Sequence, residues 1–105
     1  MKYKILKTDT ADAQISRIVL HVAQHFGRRT ALAKLDEIES SILKLGDHPD
    51  LGVRPRYPTL RRQGYRVLVL KKDLVFYKID EPAQTVIIYA VVDQRQDYVD
   101  IIRGL

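Results

Sequence analysis

The chain has 105 residues, 46% apolar and 30% charged, with no cysteine and a net charge of +5. That length gives one domain, residues 1–105, with one hydrophobic core; the composition excludes a disordered chain, and the missing cysteines exclude disulfides and thiolate metal sites. The N-terminus has no signal-peptide pattern and no run approaches the roughly 20 apolar residues of a membrane span, so a cytoplasmic protein without membrane contact is expected, and its basic balance favours anionic partners such as nucleic acid or an acidic protein.

Residues 3–6 read as a short first strand, followed by polar residues in which Thr8, Asp9 or Thr10 can cap a helix. Ala11, Ile15, Ile18, Val19, Val22 and Phe26 then recur at helical spacing and form one apolar stripe, which Gly27 ends. A second helix begins at residues 28–30 and carries Ala31, Leu35, Ile38, Ile42 and Leu45 up to Gly46. A connection as short as Gly27 makes the two helices an antiparallel hairpin.

Residues 47–59 hold Pro49, Gly52, Pro55 and Pro58 and are expected to be irregular. Three strands follow at 65–70, 74–80 and 85–92, joined by short turn-forming links that make neighbours antiparallel. Residues 93–97 are polar, and 98–102 suit a last helical turn. The expected fold class is α+β: an N-terminal strand, an antiparallel two-helix hairpin, then a three-stranded antiparallel meander, with the helices on one face of an antiparallel sheet.

Charge is unevenly placed. Asp36, Glu37, Glu39, Asp47 and Asp50 make the middle acidic, whereas residues 51–72 carry seven basic residues and no acidic one. Like charges crowded into an ordered segment repel, so an outside partner is expected to neutralise them. Arg66 alternates with Tyr65, Val67 and Val69 and so shares a sheet face with Leu68 and Leu70. The expected orientation puts Tyr65, Val67 and Val69 toward the helices and Arg66 on the uncovered face.

Several stretches carry a family resemblance: Tyr3-Lys4-Ile5-Leu6, the hairpin with Leu35-Asp36-Glu37-Ile38-Glu39, and Leu45-Gly46-Asp47-His48-Pro49-Asp50-Leu51-Gly52. Gly64-Tyr65-Arg66-Val67-Leu68-Val69, Leu74-Val75-Phe76-Tyr77-Lys78-Ile79-Asp80 and Val92-Asp93-Gln94-Arg95-Gln96-Asp97-Tyr98 continue it. In this order and spacing, over nearly the whole chain, they resemble the RelE/ParE superfamily of toxins from bacterial type II toxin–antitoxin modules. The long helices and the 45–52 connection look more like the ParE-like branch. The resemblance implies a growth-inhibiting toxin, held inactive in a hetero-oligomer by a cognate acidic antitoxin whose C-terminal segment wraps it.

The branches differ in target. RelE-like members cut messenger RNA on the ribosome with clustered basic residues and a C-terminal tyrosine or histidine, whereas ParE-like members of known target poison DNA gyrase. Where the nucleases place that last residue, this chain has Ile101, Ile102 and Arg103, with Tyr98 one helical turn earlier. The resemblance therefore favours gyrase poisoning, with the ribosome and its message as the alternative target and a non-toxic basic binding module as a third reading.

As site residues, Arg66 and Arg95 together suit a phosphate, with Tyr98 as the substitute third group if the chain is a nuclease. Each arginine has the alternative of pairing with a nearby carboxylate such as Asp80 or Asp97. Arg61 and Arg62 form a candidate binding surface, and Tyr57 and Tyr98, outside the strands, can stack on a base. Tyr65, Tyr77 and Tyr89 read as packing residues. His21 and His25 are four apart but lack a third ligand, so no metal and no cofactor is expected.

Overall fold

The computed structural model describes residues 2–95 of the protein; the helical turn expected at 98–102, with Tyr98, lies outside them. Strand β1 (Lys4–Lys7) leads into helices α1 (Asp9–Phe26) and α2 (Arg28–Lys44). A single 3₁₀ turn (Pro49–Leu51) and a short helix α3 (Pro58–Arg62) precede strands β2 (Arg66–Val69), β3 (Asp73–Asp80) and β4 (Thr85–Asp93). The strands form one sheet in the order β1-β4-β3-β2.

The hairpin follows from its ends. Thr8 caps α1, its Oγ1 accepting from Ala11 N–H at 3.1 Å, and Asp9 and Asp12 place negative charge in the first turn. Gly27, at φ +90°, is both the end of α1 and the start of α2. A side chain there would be strained, so glycine is what lets one residue reverse the chain. Lys7 Nζ, at 3.1 Å from Glu39 and 3.8 Å from Asp12, ties β1 to both helices.

Two features depart from the expectation. The sheet is mixed, because β1 runs parallel to β4 with Ile5 opposite Val86, while β2, β3 and β4 form the expected antiparallel meander. A β-bulge also interrupts β4: Phe76 pairs with Ala90 but Tyr77 with Ile88, leaving Tyr89 as the extra residue. Beyond the end of β1 the backbone of this stretch is met by α1, with Gln14 Oε1 accepting from Val91 N–H at 2.8 Å and Thr8 Oγ1 donating to Tyr89 C=O at 3.2 Å.

Both faces of the sheet are buried. Ala11, Ile15, Ile38, Ile42 and Leu45 of the hairpin segment pack on Leu68, Val75, Tyr77, Val86, Ile88 and Val91. On the other face Tyr65, Val67, Leu74, Phe76, Ala90 and Val92 cluster with Leu60 of α3. The orientation expected for β2 is thus reversed: Leu68 packs with the helix hairpin and Tyr65 and Val67 turn away from it. Both alternating sets of this strand are apolar, so periodicity alone could not choose the face.

The 47–59 connection is irregular in its first half but ordered. Tyr77 OH donates to Pro49 C=O at 2.7 Å and accepts from Gly52 N–H at 2.9 Å. A Cβ on Gly52 would lie 2.6 Å from that hydroxyl and 2.8 Å from Val67 O. Gly52→Ala is expected to cost about 2 kcal/mol through forced repacking. Denaturant unfolding checks this; an unchanged midpoint would show that the loop can move off Tyr77.

Candidate functional site

Arg66 sits at the start of β2, where the loop passes the sheet edge. Its guanidinium donates to two main-chain carbonyls, Gly52 O at 2.8 Å and Asp50 O at 3.2 Å. Its Nε is buried and without a hydrogen-bond partner. Together with Tyr77 it pins the loop so that Val53 exchanges two 2.8 Å hydrogen bonds with Val67. The alternative of an ion pair with Asp80 is not what the structure shows: the partners are carbonyls, which leave the positive charge uncompensated.

Beside Arg66 lies an open cleft of about 390 Å³ whose charged walls are Arg54, Arg61, Arg66 and Glu81. Glu81 accepts from Tyr3 OH at 2.7 Å, and that bond holds the phenol's pKa above its ordinary value. In the sequence Arg54 is one member of a basic run, with nothing to set it apart. It joins the cleft because the Val53 bridge fixes its backbone at the sheet edge.

Arg61 and Arg62 occupy the last turn of α3, a helix not expected from sequence, whose first two residues fall at the end of the 47–59 stretch expected to be irregular. Pro58 at the first turn and the buried Leu60, 2% exposed, build this helix and turn both arginines outward. Among the described residues Arg62 reaches only Thr59 Oγ1, at 3.5 Å. Tyr57, immediately before the helix, is also exposed. Of the three, Arg61 lines the cleft.

Arg95 is elsewhere. It follows β4, with its side chain 88% exposed, and grips Asp93 through Nε–Oδ1 and Nη2–Oδ2 contacts, both 3.1 Å. This bidentate bond holds the Asp93 carboxyl below the usual carboxylate range, outweighing the burial that pushes it up. Asp93 pairs with Asp73 and Arg66 with Tyr77, so four residues of β3, about 13 Å of strand, separate the two levels. The structure does not bring Arg66 and Arg95 together around one phosphate.

Asp73 is 2% exposed and carries a 2.7 Å ion pair with Lys34 of α2, which also lies 3.6 Å from Glu37. Burial lowers the ammonium's pKa, but the bond and charge of Asp73, with Glu37, outweigh it and raise the net value. On the outer face, Lys78 Nζ stands 4.5 Å from the ring centre of Tyr65 and 5.1 Å from that of Tyr89. The two rings meet edge to face at 5.5 Å, consistent with packing roles. His21 and His25 stack at 4.2 Å, and His25 Nδ1 is 2.9 Å from His21 O. Among the described residues no group of three or more His, Cys, Asp or Glu could hold a metal ion, and no helix is long and apolar enough to cross a membrane.

A family model described as the ParE toxin of the type II toxin–antitoxin system parDE matches residues 5–98. No curated protein matches the chain. Among solved structures, a chain from the chromosomal ParDE toxin–antitoxin system of P. aeruginosa superposes with a TM-score of 0.74 at 18% identity, covering 88% of this chain and 96% of that one. A chain of the RelBE2 toxin–antitoxin complex from Mycobacterium tuberculosis gives 0.60 at 19% identity, covering 90% and 100%. At such identities the likeness is one of fold.

Proposed function

The chain belongs to the ParE toxin family of type II toxin–antitoxin systems, and from that premise we propose that it arrests bacterial growth by binding and poisoning DNA gyrase in the cytoplasm, unless an acidic cognate antitoxin holds it inactive in a hetero-oligomer. The observation that carries the choice of target is the separation of Arg66 from Arg95. Ribonuclease chemistry on a single phosphate needs its cationic groups to converge. Here one arginine clamps a loop and the other grips Asp93, at different ends of β3.

Binding makes a different demand. Tyr57, Arg61 and Arg62 are exposed, Arg61 lines the cleft that Arg66 borders, and arginine and tyrosine side chains suit recognition of a large polyanionic or acidic partner. In this reading Arg61, Arg62 and Tyr57 make contacts, Arg66 shapes the cleft wall, and Arg95 contributes a second, separate contact. Inducing the chain in bacteria and mapping both DNA breaks and transcript ends tests it. Gyrase-held DNA breaks with intact messages are expected. Codon-phased cuts in translated messages would assign the ribosome as target instead, and normal growth despite folded protein would leave a non-toxic binding module.

The antitoxin should cover the same basic surface. Reversing both arginines, Arg61→Glu with Arg62→Glu, is expected to weaken the complex about tenfold, or about 1.4 kcal/mol. It should also flatten the salt dependence of binding, since fewer unlike charges meet. Titrations at several salt concentrations measure both; equal affinity at every salt concentration would remove this patch from the interface.

A further inference from the structure

The helix hairpin reaches past the core it helps to build. Val19 of α1 and Leu35 of α2 are the residues nearest its tip that pack against the helix-side cluster. The residues from Leu20 to Phe26 carry α1 about 10 Å further. Phe26 continues the apolar stripe of α1 but has no core left to meet, and it is 69% exposed. Two histidine rings line up behind it, His25 at 6.4 Å from the Phe26 ring and His21 at 4.2 Å from His25. Arg28 and Arg29 open α2 just across Gly27, and Arg17 lies further back on α1. All three arginines are exposed, and none forms an ion pair among the described residues. From Ala13 to Leu35 the sequence has no acidic residue. The tip is a basic projection that carries three rings in a row.

Charge and ring chemistry decide the occupant. Tip-to-tip pairing of two copies would bring the same cations together, which opposes it. A bilayer needs a continuous apolar face. Phe26 and Leu20, the exposed large apolar residues of α1, are six residues apart and so about 120° apart around the helix. Nucleic acid offers both things the tip is equipped to meet: phosphates for guanidinium groups and base faces for rings. In a closed duplex the base faces are covered by their neighbours, whereas a base beside a gap or break shows one. We infer that the hairpin tip binds DNA at a gap or break, with Arg28 and Arg29 on the flanking phosphates and Phe26 stacked on the unpaired base. That the break is one held by gyrase rests on the proposed function; the DNA contact itself rests on the charge, exposure and rings of the tip.

Fluorescence anisotropy of a short DNA duplex, intact or carrying a single-stranded gap, titrated with the full-length chain tests this. The gapped duplex should bind about tenfold tighter than the intact one, the scale of one base stacked on an aromatic ring. Phe26→Ala should cut that preference at least threefold. Arg28→Glu with Arg29→Glu should weaken binding to both duplexes at least tenfold and lower the slope of log affinity against log salt by about two. The substituted residues are exposed, so both variants should unfold at the parent's temperature; if the charge reversal unfolds the chain, Arg28→Gln with Arg29→Gln takes its place. Equal affinity for the two duplexes, a preference that Phe26→Ala leaves intact, or binding that the arginine variant leaves intact overturns the inference. So does tighter binding to single-stranded RNA than to gapped DNA, or binding to phosphatidylglycerol vesicles with none to DNA, which would give the tip to a message or a membrane. Plasmid breakage by gyrase is scored apart: its absence, with gapped DNA bound, counts against the gyrase reading alone.

Discussion

Replacing Lys34 with alanine is expected to destabilise the fold by about 3 kcal/mol or more, because it strands a buried carboxylate. Asp73 is 2% exposed, and among the described residues its one ion pair is with Lys34 Nζ at 2.7 Å. It also lies directly opposite Asp93 in the sheet. Without the ammonium, two carboxylates face each other across paired strands with one cation fewer nearby, an arrangement that repels. The deficit should therefore narrow once pH falls far enough to neutralise Asp93, whose carboxyl Arg95 holds below the usual range, since that removes the repulsion. The wild-type pair behaves in the opposite sense at the other end of the scale. Lys34 has a raised pKa, so its contribution is complete below the ordinary lysine value and disappears as pH rises through the raised one. Denaturant midpoints across pH measure both trends. A Lys34→Ala variant as stable as the parent at neutral pH would mean that water replaces the ammonium.

Arg66→Ala is expected to cost about 2 kcal/mol, from the loss of charge-assisted bonds to two carbonyls. The carbonyls concerned, Asp50 O and Gly52 O, belong to the loop that bridges β2 through Val53. Freed, the loop should fray and carry Arg54 away from the cleft, so growth inhibition falls together with stability. Arg66→Lys should recover part of both, because an ammonium restores charge and one bond but not the guanidinium's fork. This replaces the expectation from sequence, in which Arg66 stood on the uncovered face of the sheet. The discriminating measurement is thermal unfolding alongside growth at matched protein levels. A stable but non-toxic Arg66→Ala variant would restore the direct functional role.

What was readable in the sequence was mostly local. The stripe from Ala11 to Phe26 and that from Ala31 to Leu45 gave α1 and α2, and Gly27 gave their reversal. The strands also lie where alternation and turn residues put them, within a residue or so at each end. The parallel pairing of β1 with β4 depends on contacts about 80 residues apart in sequence, which periodicity does not encode. The facing of Arg66 failed for another reason: Tyr65, Val67 and Val69 are as apolar as Leu68 and Leu70, so either face satisfies the pattern. Its carbonyl partners, 14 and 16 residues away, have no side-chain signature at all. α3 was hidden by its length, although Pro58 ahead of Leu60 marks its first turn.

A protein that binds gyrase and does not cut messages is tested most directly with purified components. Supercoiled plasmid, gyrase and ATP are incubated with the full-length chain, then treated with detergent and protease. Linear plasmid should accumulate with the concentration of the chain, and less of it with Arg61→Glu and Arg62→Glu together. An absence of linear DNA at every concentration, with ribosome-dependent cuts when the same preparation enters a translating extract, would contradict it.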